Sequence, residues 1–168
     1  MNQLWAPWRL AYVAAATPPT EGDPCFICRG LAASDDRAHL IALRTTHSAV
    51  VLNRFPYNNG HLLVAPRAHK GNLQDLDAAE ILDIQQTLAR MVGVLDEVLH
   101  PEGYNIGLNL GRAAGAGLPG HLHWHIVPRW NGDTNFMPVL GDVKVIAQAL
   151  DALYDGLVSA ITTTTSIV

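Results

Sequence analysis

His121-Leu122-His123-Trp124-His125 places three imidazoles on alternate residues. Alternation is the period of a β-strand, so all three rings are predicted to leave one face of a sheet. The residues that follow, Ile126-Val127-Pro128-Arg129, favour a strand and then end it. Near neutral pH an imidazole can be a nucleophile, a general base or a metal ligand. A single histidine on a strand is usually structural. Three of the eight histidines within five residues point instead to chemistry, because active sites concentrate titratable groups.

Two chemistries fit the trio. Rings two residues apart on a strand can chelate a metal, as in cupin-type oxygenases, if a carboxylate or further histidine joins them. Asp133 is available for that, although nothing else marks it. Alternatively the middle ring attacks phosphorus. The loop from Gly111 to Gly120 lies directly before the trio and offers backbone N–H groups to phosphate oxygens. Gly115 and Gly117 lack a Cβ, so backbone can come close to a ligand there. Such a loop is also common in ordinary turns, and its position before three histidines is what gives it weight. The two cysteines, Cys25 and Cys28, are spaced C-x-x-C. In a reducing cytosol this spacing means a metal knuckle or a redox pair more often than a structural disulfide. Buried free thiols are the plain alternative.

Elements able to position these groups can be read along the chain. Leu40–Arg44 and Ser48–Asn53 read as strands about the turn Thr45-Thr46-His47, and His61–Pro66 follows the turn Pro56-Tyr57-Asn58-Asn59-Gly60. Asp77-Ala78-Ala79-Glu80 resembles a capping box. Beyond it Ile81, Ile84, Leu88, Met91, Leu95 and Val98 recur at helical spacing, predicting a helix over 78–99 with a core-facing stripe. Tyr104–Leu110 is a further strand, Val143–Leu157 a closing helix, and Thr162–Thr165 a frayed tail. A helical turn is expected near Pro7–Val13, with Trp5 and Trp8 packing on the domain or on a partner subunit. Strands, helix, strands, helix argue for an α+β fold with a mainly antiparallel sheet.

With 168 residues, 49% hydrophobic and 15% charged, the chain suits one globular domain with a good core. It divides into an N-terminal extension (1–24), a core (25–130) and a C-terminal extension (131–168). A net charge of −4 with 11 Lys plus Arg is a poor footprint for gripping a long nucleic acid, but leaves room for a small nucleotide. No apolar run is long enough to span a membrane and no signal core follows the N-terminus, so a cytoplasmic location is expected.

His121-x-His123-x-His125 followed by apolar residues resembles the motif of the histidine triad (HIT) family. Leu52-Asn53-Arg54 with Asn59-Gly60-His61-Leu62-Leu63-Val64-Ala65-Pro66 is similar to the nucleoside-binding half of HIT proteins. Asn109-Leu110-Gly111 through Gly117 resembles the family's phosphate loop. The match runs from about Cys25 to Arg129. Leu4-Trp5-Ala6-Pro7-Trp8-Arg9 and the stretch from Asn135-Phe136 to Val145-Ile146 resemble the bacterial branch of diadenosine tetraphosphate phosphorylases and hydrolases.

The resemblance implies that His123 attacks the α-phosphorus of a dinucleoside polyphosphate through Nε2, forming a nucleotidyl-histidine. A carbonyl of a neighbouring strand residue would orient His123. His125 would donate to a phosphate oxygen, and Asn109, Gly115, Gly117 and Leu118 would contact the phosphates. His61 and Asn53 would lie near the α-phosphate and the ribose; a satisfied buried histidine and a strand-end hydrogen bond are their ordinary alternatives. The third histidine, where related uridylyltransferases carry Gln, points to a hydrolase or phosphorylase. Zinc-bearing members further imply a structural Zn(2+) held by Cys25, Cys28, His69 and His121, and HIT proteins pair as homodimers. Two other functions are weighed against this one: a non-catalytic adenine-nucleotide sensor on the same fold, and a metal enzyme using His121, His123 and His125 together. His39, His47 and His100 are expected at the surface or at strand ends, and Lys70 and Arg129 as solvated charges.

Overall fold

The computed structural model describes residues 25–134, 140 and 146–165. The expected turn near Pro7–Val13, Trp5, Trp8 and most of the stretch from Asn135 to Val145 lie outside these residues. In chain order the elements are α1 (Phe26–Ala32), β1 (Ile41–Arg44), β2 (Ser48–Leu52), β3 (Leu62–Pro66), α2 (Ala78–Leu99), β4 (Gly103–Leu108), β5 (Trp124–Arg129) and α3 (Leu150–Thr165). The five strands form one sheet in the order β1-β2-β3-β5-β4, with every pairing antiparallel. This is the expected α+β architecture.

Helix α2 spans the range its sequence predicts. Asp77 accepts the Glu80 N–H at 2.8 Å and Glu80 accepts the Asp77 N–H at 2.9 Å, closing the capping box. Ile84, Leu88, Met91 and Leu95 are buried, but Ile81 is 46% exposed. The inward row at that end is occupied by Glu80, which takes an ion pair from Lys70 at 2.6 Å as well as capping the helix. Lys70 is therefore engaged and not simply solvated. Arg129 likewise pairs with Asp133.

Helix α3 begins at Leu150, not near Val143, and residues 146–149 are not helical. It runs on through the threonines instead of fraying at them. Thr162 and Thr163 turn their hydroxyls back onto the carbonyls of Val158 and Ser159, four residues earlier, within the helix.

The core lies between the sheet and the α2–α3 layer, where Val50, Leu52, Leu62, Val64 and Ile126 meet Ile84, Leu88, Met91, Leu153 and Leu157. On the opposite face Ile41, Val51 and Leu63 pack with Leu31 of α1. Cross-strand register puts Val51 opposite Leu63 and Leu63 opposite His125, so His125 stands on this second face. The ordered ladder of β5 starts only at Trp124, so His121 and His123 precede the strand. The alternation of faces nevertheless holds, since Leu122 and Trp124 join the core between them.

Candidate active site

Each histidine of the trio has one nitrogen fixed by a hydrogen bond, and this decides what the other can do. His123 donates its Nδ1–H to the carbonyl of His121 at 2.8 Å. The orienting carbonyl thus comes from two residues earlier on the same segment, not from a neighbouring strand. With that proton placed, Nε2 of the neutral ring keeps its lone pair, and no hydrogen bond among the described residues engages it. His123 is 6% exposed.

His125 is fixed through His61. The Tyr57 backbone N–H donates to His61 Nδ1 at 2.9 Å, and Asn53 Nδ2 lies 3.1 Å from the same nitrogen. A nitrogen that accepts carries no proton, so in the neutral ring the proton sits on His61 Nε2. That atom lies 2.8 Å from His125 Nδ1, which must accept, and His125 therefore keeps its own proton on Nε2. This N–H is buried without a partner among the described residues, and a buried donor of that kind is costly unless a ligand meets it. Burial, with His123 as a lesser contributor, pulls His125 down to about 4, so it is neutral in the free protein. A lone pair on His123 and a donor on His125 stand side by side, with ring centroids 5.1 Å apart.

The loop before the trio brings its parts together. Gly115 adopts φ +89° at the end of a 3-10 turn over Arg112–Ala114, and Asn109 Nδ2 comes within 3.8 Å of where a Cβ on Gly115 would stand. Nothing lies within 4 Å of the corresponding point at Gly117. Among the described backbone hydrogen bonds none takes up the amides of Gly117 or Leu118, while the Leu118 carbonyl accepts the His121 N–H at 3.3 Å.

A cleft of about 460 Å³ opens on the same sheet face, lined by Val51, Leu52, Asn53, Leu63, Leu40 and Phe26, with Arg29, His39, Arg54 and Phe55 also bordering it. Phe26 and Phe55 are 40% and 81% exposed. Apolar walls with a few polar groups are the ordinary make-up of a small-molecule site. Leu40 holds φ +57° at its edge, a conformation disfavoured for leucine. His39, expected at the surface or a strand end, lies just before β1 and borders the cleft. Sequence reasoning passed over Phe26, Arg29 and Phe55, and treated Tyr57 only as part of a turn.

His121 faces elsewhere. It donates Nε2–H to the Pro66 carbonyl at 2.8 Å and turns Nδ1 toward Cys25 Sγ at 3.2 Å and Cys28 Sγ at 3.4 Å. His69 Nδ1 lies 3.2 Å from Cys28 Sγ. The four ligand atoms all fall within 4.8 Å of one another. Tetrahedral zinc with ordinary Zn–S and Zn–N bonds sets sulfur and nitrogen about 3.5 Å apart, so two thiols and two imidazoles in this arrangement fit the ion. The carbonyl on the far nitrogen of His121 is the usual outer partner of a metal-bound imidazole. Burial, followed by the Cys25 contact, pushes the Cys28 thiol up to about 11, so binding must displace its proton. His123 and His125 are not in this group, which speaks against one metal held by all three histidines of the trio.

The family model described as the HIT domain matches residues 37–132, more than half of the chain. The chain belongs to the HIT family. It is 38% identical over 154 residues, 89% of this chain and 79% of the relative, to an AP-4-A phosphorylase of Mycobacterium tuberculosis. It is 36% identical over 90 residues to the asymmetrical bis(5'-nucleosyl)-tetraphosphatase of Schizosaccharomyces pombe, covering 54% of this chain and 49% of that one. Its fold is similar to that of a Zn-bound histidine triad family protein from Mycobacterium smegmatis, with TM-score 0.62, 24% identity, and 93% and 95% of the two chains covered. In HIT terms the triad is His121, His123 and His125. The first residue lies among the cysteines, and the other two stand beside one another, His125 against His61 and Tyr57. Among the described residues no helix is long and apolar enough to cross a membrane.

Proposed function

We propose that this HIT protein cleaves dinucleoside polyphosphates at the α-phosphorus through a nucleotidyl intermediate on His123. The observation that carries the reading is the His123 Nδ1–His121 carbonyl bond, which leaves Nε2 as a nucleophile. Relatives named as an AP-4-A phosphorylase and a bis(5'-nucleosyl)-tetraphosphatase support dinucleoside polyphosphate processing by a hydrolase or nucleotidyltransferase.

In this reading the nucleoside lies in the cleft beside Asn53, and the phosphates meet Asn109, Gly115 and the amides of Gly117 and Leu118. His123 Nε2 forms a bond to phosphorus as the bond to the leaving phosphate oxygen breaks. The Nε2–H of neutral His125 donates a hydrogen bond to the leaving phosphate oxygen, stabilising the charge that develops as it departs as the anion. His61 holds His125 in that tautomer. Water or inorganic phosphate then attacks the intermediate and breaks the P–N bond, restoring the Nε2 lone pair of His123, while the surplus proton of an attacking water passes to solvent. The site geometry serves either nucleophile.

Cys25, Cys28, His69 and His121 would hold a structural zinc, with a Zn-bound relative of the same fold in support. Four protein ligands leave no open position, so the ion supplies cross-linking and not chemistry. The same reading takes the chain as a single cytoplasmic domain, paired as a homodimer, with small nucleotides rather than long nucleic acid or membrane as partners.

The test is incubation with diadenosine tetraphosphate, with and without inorganic phosphate, and mass spectrometry for a nucleotidyl group on His123. Nucleoside diphosphate formed only with added phosphate identifies a phosphorylase. Monophosphate plus triphosphate without it identifies an asymmetric hydrolase. Tight binding with no product over hours would leave the sensor reading standing, and full activity in His123→Ala would refute the nucleophile.

A further inference from the structure

We propose that Tyr57 is a positioning residue whose ring holds the His125 imidazole in the plane from which its Nε2–H reaches the leaving phosphate. This rests on the role given to His125 above. The Tyr57 ring lies nearly parallel to His125, 17° apart in plane with centroids at 5.5 Å. It also meets His61 at 4.5 Å with a 40° tilt. Its own backbone N–H fixes the His61 tautomer. One residue therefore grips both members of the imidazole pair, one through its face and the other through its face and its main chain.

The turn that carries Tyr57 is tied down on either side. Asn53 Oδ1 accepts the Phe55 N–H at 3.0 Å, before the ring. After it, Asn58 Nδ2 donates to the Pro128 carbonyl at 3.1 Å and to Asp133 at 2.8 Å. Asp133 in turn pairs with Arg129 at the end of β5, the strand that carries His125. The Tyr57 ring remains 47% exposed, which is unlike a core aromatic. Stacking sets the imidazole plane, while the His61 bond sets which nitrogen keeps the proton.

The test uses the full chain in four forms: wild type, Tyr57→Phe, Tyr57→Leu and His123→Ala. Two substrates are compared, diadenosine tetraphosphate and the p-nitrophenyl ester of adenosine 5'-monophosphate, whose leaving phenolate delocalises its charge and needs no donor. Tyr57→Leu is expected to lower kcat about threefold on the tetraphosphate, as loss of a half-exposed aromatic contact predicts. Its KM should change little, its nitrophenyl ester kcat should stay near wild type, and Tyr57→Phe should restore the rate. Equal losses on both substrates, a change in KM alone, no loss, or failure of Tyr57→Phe to rescue would each overturn the positioning role. Activity in His123→Ala, or a wild type inert on both substrates, would instead overturn the reading beneath it.

Discussion

His61 Nε2 lies 2.8 Å from His125 Nδ1, across 64 residues of sequence, and this contact decides which nitrogen of His125 carries its proton. Replacing His61 with Ala frees His125 to take either tautomer. In steady-state kinetics His61→Ala is expected to lose about a hundredfold in kcat, at the lower end of what one preorganised donor contributes. The double variant His61→Ala/His125→Ala should be little worse than His125→Ala alone, because both act through one proton. Additive losses would mean that the two rings work independently.

Cys25→Ser removes one of the four proposed zinc ligands. The purified variant is expected to carry no zinc where the wild type carries one per chain, measured by elemental analysis. Its melting temperature should fall by on the order of 10 °C, as for the loss of a few kcal/mol in a chain of this size. An unchanged metal content would place the ion elsewhere.

Gly60 has φ +77°, and a Cβ there would stand 2.4 Å from Leu99 Cδ1 and 3.0 Å from Pro128 Cγ. Gly60→Ala meets both a disfavoured backbone conformation and a clash. Urea unfolding should register a loss of about 2–4 kcal/mol. Because His61 follows directly, kcat should fall as well; a variant as stable as wild type would contradict this account of the turn.

Acid should weaken the fold through His125. Its folded value is about 4, against about 6.5 when unfolded. Between those values the unfolded chain binds the extra proton, so unfolding free energy rises with pH and stability drains away on acidification from 6.5 toward 4. Urea midpoints at pH 7.5 and pH 5 should therefore separate more for wild type than for His125→Gln. Identical separations would remove His125 from the account.

Elements with local signals were legible in the sequence. Helix α2 starts and stops at the expected residues because the capping box and the apolar period are both written within it. Strands β1 to β4 fall within two residues of their expected bounds at each end. Helix α1 carried no such mark: it has seven residues, and its N-cap is Cys25, not one of the usual oxygen-bearing side chains. The glycine-rich loop and the C-x-x-C pair were legible in the residues, the full ligand set only through family resemblance, and the chain does bring Cys25, Cys28, His69 and His121 together. What stayed hidden was set by contacts distant in sequence. Tyr57 reaches His125 only through the closure of the sheet, and the cleft draws its wall from α1, β2, β3 and the residues just before β1.

The strand order has one more consequence. Strand β5 is wedged between β3 and β4, although both are synthesised before it. Until the ribosome has released residues through Arg129, β4 has no neighbour in the sheet and His123, the proposed nucleophile, has no seat. Completion of the scaffold and arming of the reagent are thus a single late event in the life of each new polypeptide.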